Sequence, residues 1–531
     1  MRTITVLLAG ILAATMFVGC SRSPQGQAAA NLQEQADKAR RVYLKAVSQM
    51  AEPTPQDENG VPSLAIENDQ ALAAMTEAGN TLAQALSQNS DATDIGRIPA
   101  QELQAEILQA IGAYHSTVAQ AHIVNVMAQL SQAQQQMGGA ELFAGLAKFF
   151  DQLAKVTPAE LAAMKGDAQA RQKELADQKA GLDKEQLDLK SQVSALSKDS
   201  EALSPQASDL RTKATSADGQ EALELTKQVG QIERKINDNA AKINSAESRL
   251  EMIDNEVKTV AQPLALIQEQ IKAIDARQAE LAGRAGKVGE QKVAQQEMVK
   301  QYQAGLDKAA AQVVSEFALA VKAGELADAS FQKAGSAAGQ AITGLKARKN
   351  AARDMQDKNP DGGMAPVLMA MSGTGEECAA NAKKGEIALA SGDIRWALCS
   401  AATRIQAAAV RMGKAGEASG VPVPAAVTDA AKLVADPATV KSAATADYTA
   451  AVDAYEAAAK LPGNQPIDMR TRWMYQTQQA RALLGLYHAT ADATHLAAAK
   501  RLVDENVLPK AENDSFADPV RQFSQMLARE K

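Results

Sequence analysis

The chain has 531 residues, 46% of them hydrophobic but only 3% aromatic, with 56 basic and 63 acidic side chains for a formal charge of −7. That length leaves room for two or three domains, and the acidic balance argues against a surface for phosphate backbones, so nucleic acid is not an expected partner. Ala, Gln, Lys, Glu and Leu dominate while β-branched and aromatic runs are scarce. This composition points to an all-α fold, read here as a helical-hairpin body with a long antiparallel coiled-coil hairpin inserted.

The first element is a leader. Arg2 supplies one positive charge, an apolar stretch runs from Ile4 to Val18, and Gly19-Cys20 follow. The stretch is short for a spanning helix, which needs about 20 residues, but it has the length and small-residue exit of a cleavable secretory signal. No later run approaches spanning length. The segment resembles the signal of bacterial lipoproteins, although Phe17 stands where that family usually has Leu. The resemblance implies a signal peptide over residues 1–19, removal of Gly19 as its last residue, and diacylglyceration of Cys20. The lipid on Cys20 would then be the membrane contact, and the two or three acyl chains of this modification meet the requirement for stable anchoring. Ser21 and Arg22 resemble the start of outer-membrane-sorted lipoproteins facing the periplasm. Loss of residues 1–19 removes Arg2 and no acid, so −7 becomes −8.

After a tether at 20–27, an N-terminal helical segment is expected over 28–160. Helices are predicted near 28–51, 66–88, 98–136 and 140–155, separated by Glu52-Pro53-Thr54-Pro55, Asp94-Ile95-Gly96 and Gly138-Gly139. Residues 161–290 carry the strongest periodicity. Leu175, Leu182, Leu189, Leu196, Leu203 and Leu210 recur every seven residues, and a second stripe runs from Leu225 to Leu281 with Asn239 and Gln278 as polar interruptions. The break at Thr215-Ser216-Ala217-Asp218-Gly219 suggests an antiparallel hairpin within one chain, and two parallel chains in a dimer are the competing arrangement. An arm of about 49 residues would project roughly 70 Å. Lys179, Gln186 and Ser200 weaken the first arm's seam, and Pro205 and Pro263 are expected to kink or interrupt the arms.

Connecting helices are expected over 291–355 and a C-terminal helical domain over 366–531. Loops are predicted at residues 357–363, at Gly420-Val421-Pro422-Val423-Pro424 and at residues 461–466. Cys378 and Cys399, the cysteines left after acylation of Cys20, are expected to pair in an oxidising compartment. A simple hairpin turning at Ser391-Gly392-Asp393 would set them about seven residues out of register, roughly 10 Å. The bond therefore needs the lead-in Ser372-Gly373-Thr374-Gly375 to fold back. Free buried thiols are the alternative.

Leu484-Gly485, Ala497 and Pro509 have the spacing of a tetratricopeptide repeat, and Gly385, Gly392 and Ala397 fit another unit. Ala451, Tyr455 and Ala458, and also Ala39, Tyr43 and Ala46, echo its second helix. These stretches are similar to that family's helical hairpins, which bind proteins and carry no catalytic residues.

Reactive chemistry is scarce. His115 and His122, like His488 and His495, are seven apart, about 10 Å along a helix, too far for two ligands of one metal. Glu376-Glu377 and the acids of residues 357–361 lack calcium-loop spacing. Lys346, Arg348, Lys349 and Arg353 form a basic patch that either contacts anionic headgroups or is a solvated face. Trp396 and Trp473 read as core residues or partner anchors. No phosphate loop, nucleophile elbow or metal-protease motif occurs, so no cofactor, metal or small-molecule substrate is expected. The expected function is a non-catalytic, membrane-anchored scaffold or adaptor of the bacterial envelope. The alternative is a component of an envelope transport or secretion assembly that self-associates through its coiled coil.

Overall fold

A computed structural model describes residues 24–50, 69–89, 94–153, 155–216, 219–281, 288–358, 365–434, 437–460, 469–511 and 517–530. The protein is all-α, with no strand among these residues. In chain order the helices are α1 (Pro24–Met50), α2 (Asp69–Gln88), α3 (Asp94–Leu153), α4 (Pro158–Ser216), α5 (Gly219–Leu281), α6 (Val288–Lys358), α7 (Ala365–Ser419), α8 (Ala425–Ala431), α9 (Pro437–Ala459), α10 (Met469–Thr490), α11 (Ala493–Arg501, continued by a π-helical turn Leu502–Val507 and by Leu508–Ala511) and α12 (Ala517–Arg529). They divide into two compact units. One holds the chain up to Ala133 with Asp307–Arg411 and Pro424–Lys531, and the other holds Gln134–Leu306 with Met412–Val423.

In the first unit, α1 and α2 pair over the start of α3. Leu32, Ala36, Ala39 and Tyr43 of α1 meet Met75, Ala78 and Leu82 of α2 and Leu103, Ile107 and Ile111 of α3. The α1 positions recur every three or four residues, which lines one helical face. A second cluster joins Ala105 and Ala119 of α3 to Phe331 and its alanine neighbours on α6 and to Ile387 and Ile394 of α7. Further clusters bind α7 to α9 and α10, and α10 to α11 and α12. Alanine fills so many of these positions that the helices approach closely around a few aromatic rings.

In the second unit, α4 and α5 form an antiparallel pair. At its base Leu146, Phe150 and Leu153 of α3 pack with Leu161 of α4 and with Ala273 and Ile274 of α5.

Several sequence expectations need correction. Gly138-Gly139 does not separate two helices, because α3 runs unbroken from 94 to 153. The two glycines make room instead: a Cβ on Gly139 would overlap the Tyr302 ring, and Gly138 faces the Gln262 side chain. Asp94-Ile95-Gly96 opens α3 rather than preceding it. Pro205 and Pro263 interrupt neither arm. Both lie on exposed positions, where the ring projects to solvent and the paired arm holds the backbone on either side.

Ser391-Gly392-Asp393 is not a turn but the middle of α7, so the repeat unit read over Gly385, Gly392 and Ala397 does not form. Ala497 is exposed and Pro509 lies in a helical turn, against the other proposed unit. Gly420 does end α7, with φ +79° and its N–H on the Gly416 carbonyl at 2.7 Å, a glycine C-cap. Of the loop expected at 357–363, residues 357–358 instead close α6, and 359–363 lie outside the described residues, as do the loops expected at 52–55 and 461–466 and the tip residues 217–218.

Candidate functional site

The α4–α5 hairpin is the most distinctive surface-bearing element. Its helices have 59 and 63 residues, roughly 90 Å each at about 1.5 Å per residue. The antiparallel register is recorded by pairs whose numbers fall on one arm as they rise on the other. Lys165 meets Asp275 at 2.6 Å, Glu185 meets Arg249 at 2.8 Å, Gln186 donates to Asp254 at 2.5 Å, and Arg211 meets Glu233 near the tip.

Each of the six heptad leucines of α4 is half-buried in the seam, while Val229, Ala246, Ile253 and Ile267 of α5 are buried. Arg249 bridges Glu185 across the hairpin and Glu256 on its own arm, at 2.8 and 2.9 Å. Those bonds hold the Glu185 carboxyl below the usual range. The flanks thus carry pairs that an intrachain antiparallel partner satisfies, unlike the parallel dimer.

Asn239 is buried at a seam position and donates to Asp199 Oδ2 at 2.8 Å. A buried polar group in a coiled coil fixes register at some cost in stability. Asn239→Leu is therefore expected to stabilise the hairpin by about 1–2 kcal/mol, since Asp199 is exposed and returns to water. It should also relax pairing, so that a concentration-dependent dimer appears in analytical ultracentrifugation. A less stable variant that stays monomeric would contradict this role.

Cys20 lies outside the described residues. Cys378 and Cys399 are both free and buried. They occupy one uninterrupted helix 21 residues apart, about 31 Å, so the expected disulfide does not form and the Gly-rich lead-in is helical. Burial pushes both thiols above the usual cysteine range, which keeps them as unreactive thiols.

Two of the four patch cations are neutralised within the fold, Arg348 by Glu376 and Lys349 by Glu377. The acidic pair and the basic patch read separately in the sequence are thus each other's partners. Lys346 and Arg353 remain exposed. His122 Nδ1 lies 2.8 Å from Glu316, His488 Nε2 lies 3.3 Å from Glu530, and His495 Nε2 lies 4.0 Å from Asp492. No group of three or more metal-ligating side chains occurs among the described residues. Trp473 is buried in the α10–α12 core and Trp396 packs against the α7–α9–α10 core.

Sequence reasoning missed one polar constellation in the first unit. Arg395 of α7 spans Asp328 of α6 and Asp447 of α9, at 2.6 and 2.7 Å, and the Ser391 hydroxyl one turn earlier lies between the same two carboxylates, donating to Asp447 at 2.8 Å with Asp328 3.1 Å away. Nearby, the Tyr448 hydroxyl donates to Asp393 at 2.9 Å. Ser391 and Arg395 share a helix face by their spacing of four, which is a visible signal, but nothing local names the partners. The arrangement holds no nucleophile beside a free base. It is a clamp between three helices.

Comparisons with protein-family models, curated proteins and solved structures give no match. No helix among the described residues is long and apolar enough to cross a membrane.

Proposed function

We propose that the protein is an exported, lipid-anchored scaffold of the bacterial cell envelope, held to the outer membrane through acylated Cys20 and facing the periplasm. Its role is to bind a protein partner without catalysis. The observation that carries this reading is the hairpin itself: two arms of 59 and 63 residues spend their polar flanks on each other and extend a helical surface well beyond what a core requires. The leader ending at Gly19-Cys20 supports the anchor. The clamp around Arg395 supports a rigid body, since each of its charged groups is paired.

Excision of residues 175–264, with a short Gly-containing turn joining the stubs, leaves the base cluster around Phe150, Leu161 and Ile274 in place. The shortened protein is expected to stay folded and membrane-bound while losing its partner in crosslinking from intact cells. Retention of every crosslinked partner would refute the role given to the arms. Mass spectrometry of the Cys20 peptide from native membranes tests the anchor separately.

A further inference from the structure

The outward face of α1 has no role in the reading above. Lys38, Arg41, Leu44 and Lys45 are all exposed, Leu44 at 57%, and their spacing of three and four places them on one side of the helix. The opposite side, with Leu32, Ala36, Ala39, Tyr43 and Ala46, is sealed into the core with α2 and α3, which fixes the direction in which the basic side chains point. Lys38, Arg41 and Lys45 enter no ion pair among the described residues; Arg41 Nε makes one long bond, 3.4 Å, to the Asp37 carbonyl. They contrast with Arg348 and Lys349, which Glu376 and Glu377 take out of contention.

We propose that the second half of α1 is a membrane-contact surface that binds anionic phospholipid headgroups through Lys38, Arg41 and Lys45, with Leu44 entering the headgroup boundary. The inference rests on the lipid-anchored reading. Only Ser21, Arg22 and Ser23 separate Cys20 from Pro24, a span of at most about 14 Å, so a lipid on Cys20 delivers the start of α1 to the bilayer surface. Lys38 and Lys45 lie roughly 21 and 32 Å further along the helix, within reach when α1 lies along the membrane. Basic side chains with an exposed leucine are the chemistry of an interfacial helix, and they meet an anionic surface within a Debye length.

Glu34 and Asp37 stand on the same face nearer the anchor, where Asp37 accepts from Gln33 at 3.1 Å. They oppose the attraction and confine the contact to the second half. Arg40, turned further round the helix, acts on the Glu102 carboxyl instead.

The test uses residues 20–531 with Cys20→Ser, which keeps every described residue and makes binding independent of acylation. Its co-sedimentation is measured with vesicles of phosphatidylcholine alone and of phosphatidylcholine mixed with phosphatidylglycerol, at low and physiological ionic strength. Binding is expected on the mixed vesicles only, weakening with salt. The triple variant Lys38→Gln, Arg41→Gln, Lys45→Gln should lose about a hundredfold in affinity, at about fivefold per basic residue. Glu34→Gln with Asp37→Asn should bind more tightly than the parent. Equal helical circular dichroism keeps the variants comparable.

Equal binding to both vesicle types, no binding to either, or a triple variant that binds like the parent would overturn the proposal. So would binding to polyglutamate without binding to vesicles, which would assign the face to an acidic protein. An unmodified Cys20 in native membranes would instead sink the anchored reading, whatever the vesicles show.

Discussion

Arg395→Met should destabilise the first unit by about 2–3 kcal/mol, somewhat less than removing one partner from a fully buried ion pair costs, because all three side chains keep some contact with water. The methionine keeps most of the side-chain volume, so the loss is electrostatic. Asp328 and Asp447, whose side chains are 24% and 23% exposed, are left facing each other with only Ser391 between them. Both tryptophans lie in this unit, so the urea midpoint of their fluorescence reports it without the hairpin's own transition.

The penalty depends on pH. Burial raises the Asp447 carboxyl above its usual value of 3.8, against the pull of Ser391 and Arg395. An acid whose folded value is raised binds its proton more tightly in the folded chain, so its contribution is full below 3.8 and is lost as pH rises through the folded value. Removing Arg395 removes one of the forces holding that value down. The cost of Arg395→Met is therefore expected to be larger at neutral pH than in mild acid, and adding Asp328→Asn and Asp447→Asn should recover most of it. A penalty flat with pH would show that packing, not charge, is lost.

Gly485→Ala should cost about 2–3 kcal/mol, although the same change inside a helix ordinarily gains up to about 1. A Cβ at 485 would overlap the Tyr448 ring. That ring is held in place: it is 2% exposed, the Gly392 backbone is so close that a Cβ there would stand 2.9 Å from it, and its hydroxyl is tied to Asp393. In a Tyr448→Ala background Gly485→Ala should become neutral or favourable. Gly181→Ala, with nothing within 4 Å of its Cβ, should show the ordinary gain. Thermal unfolding of the four variants decides between steric conflict and backbone effects.

The all-α class and the two arms were legible because heptad leucines and a stripe of β-branched residues repeat over many turns, and periodicity is a local signal. Glycine was misread for the opposite reason. Gly139 and Gly392 look like breaks in the sequence, but they lie inside helices, where the missing Cβ leaves space for Tyr302 and Tyr448, distant in the chain. Small residues at Gly385, Gly392 and Gly485 suggested repeat units, and they do let aromatic side chains come close, but without a turn at 392 the unit read over Gly385, Gly392 and Ala397 is a stretch of one long helix, whereas Gly485 lies on α10, which turns into α11 at 491–492.

The cysteine pairing failed with that turn. The clamp was invisible because Asp328, Arg395 and Asp447 look like ordinary surface charges until three helices bring them together. The basic patch on α6 was visible as composition, while the pairing of Arg348 and Lys349 with Glu376 and Glu377 was not.

An antiparallel insertion returns the chain to the level at which it left. The separation between its entry and exit is set by residues near Lys165 and Asp275 and does not depend on how far the arms extend. Reach is then a free parameter. Deleting one heptad from each arm at matched levels would shorten the projection by roughly 10 Å while keeping every remaining seam contact in phase. Arm length can therefore change by such paired deletions or insertions without altering a residue of the base cluster.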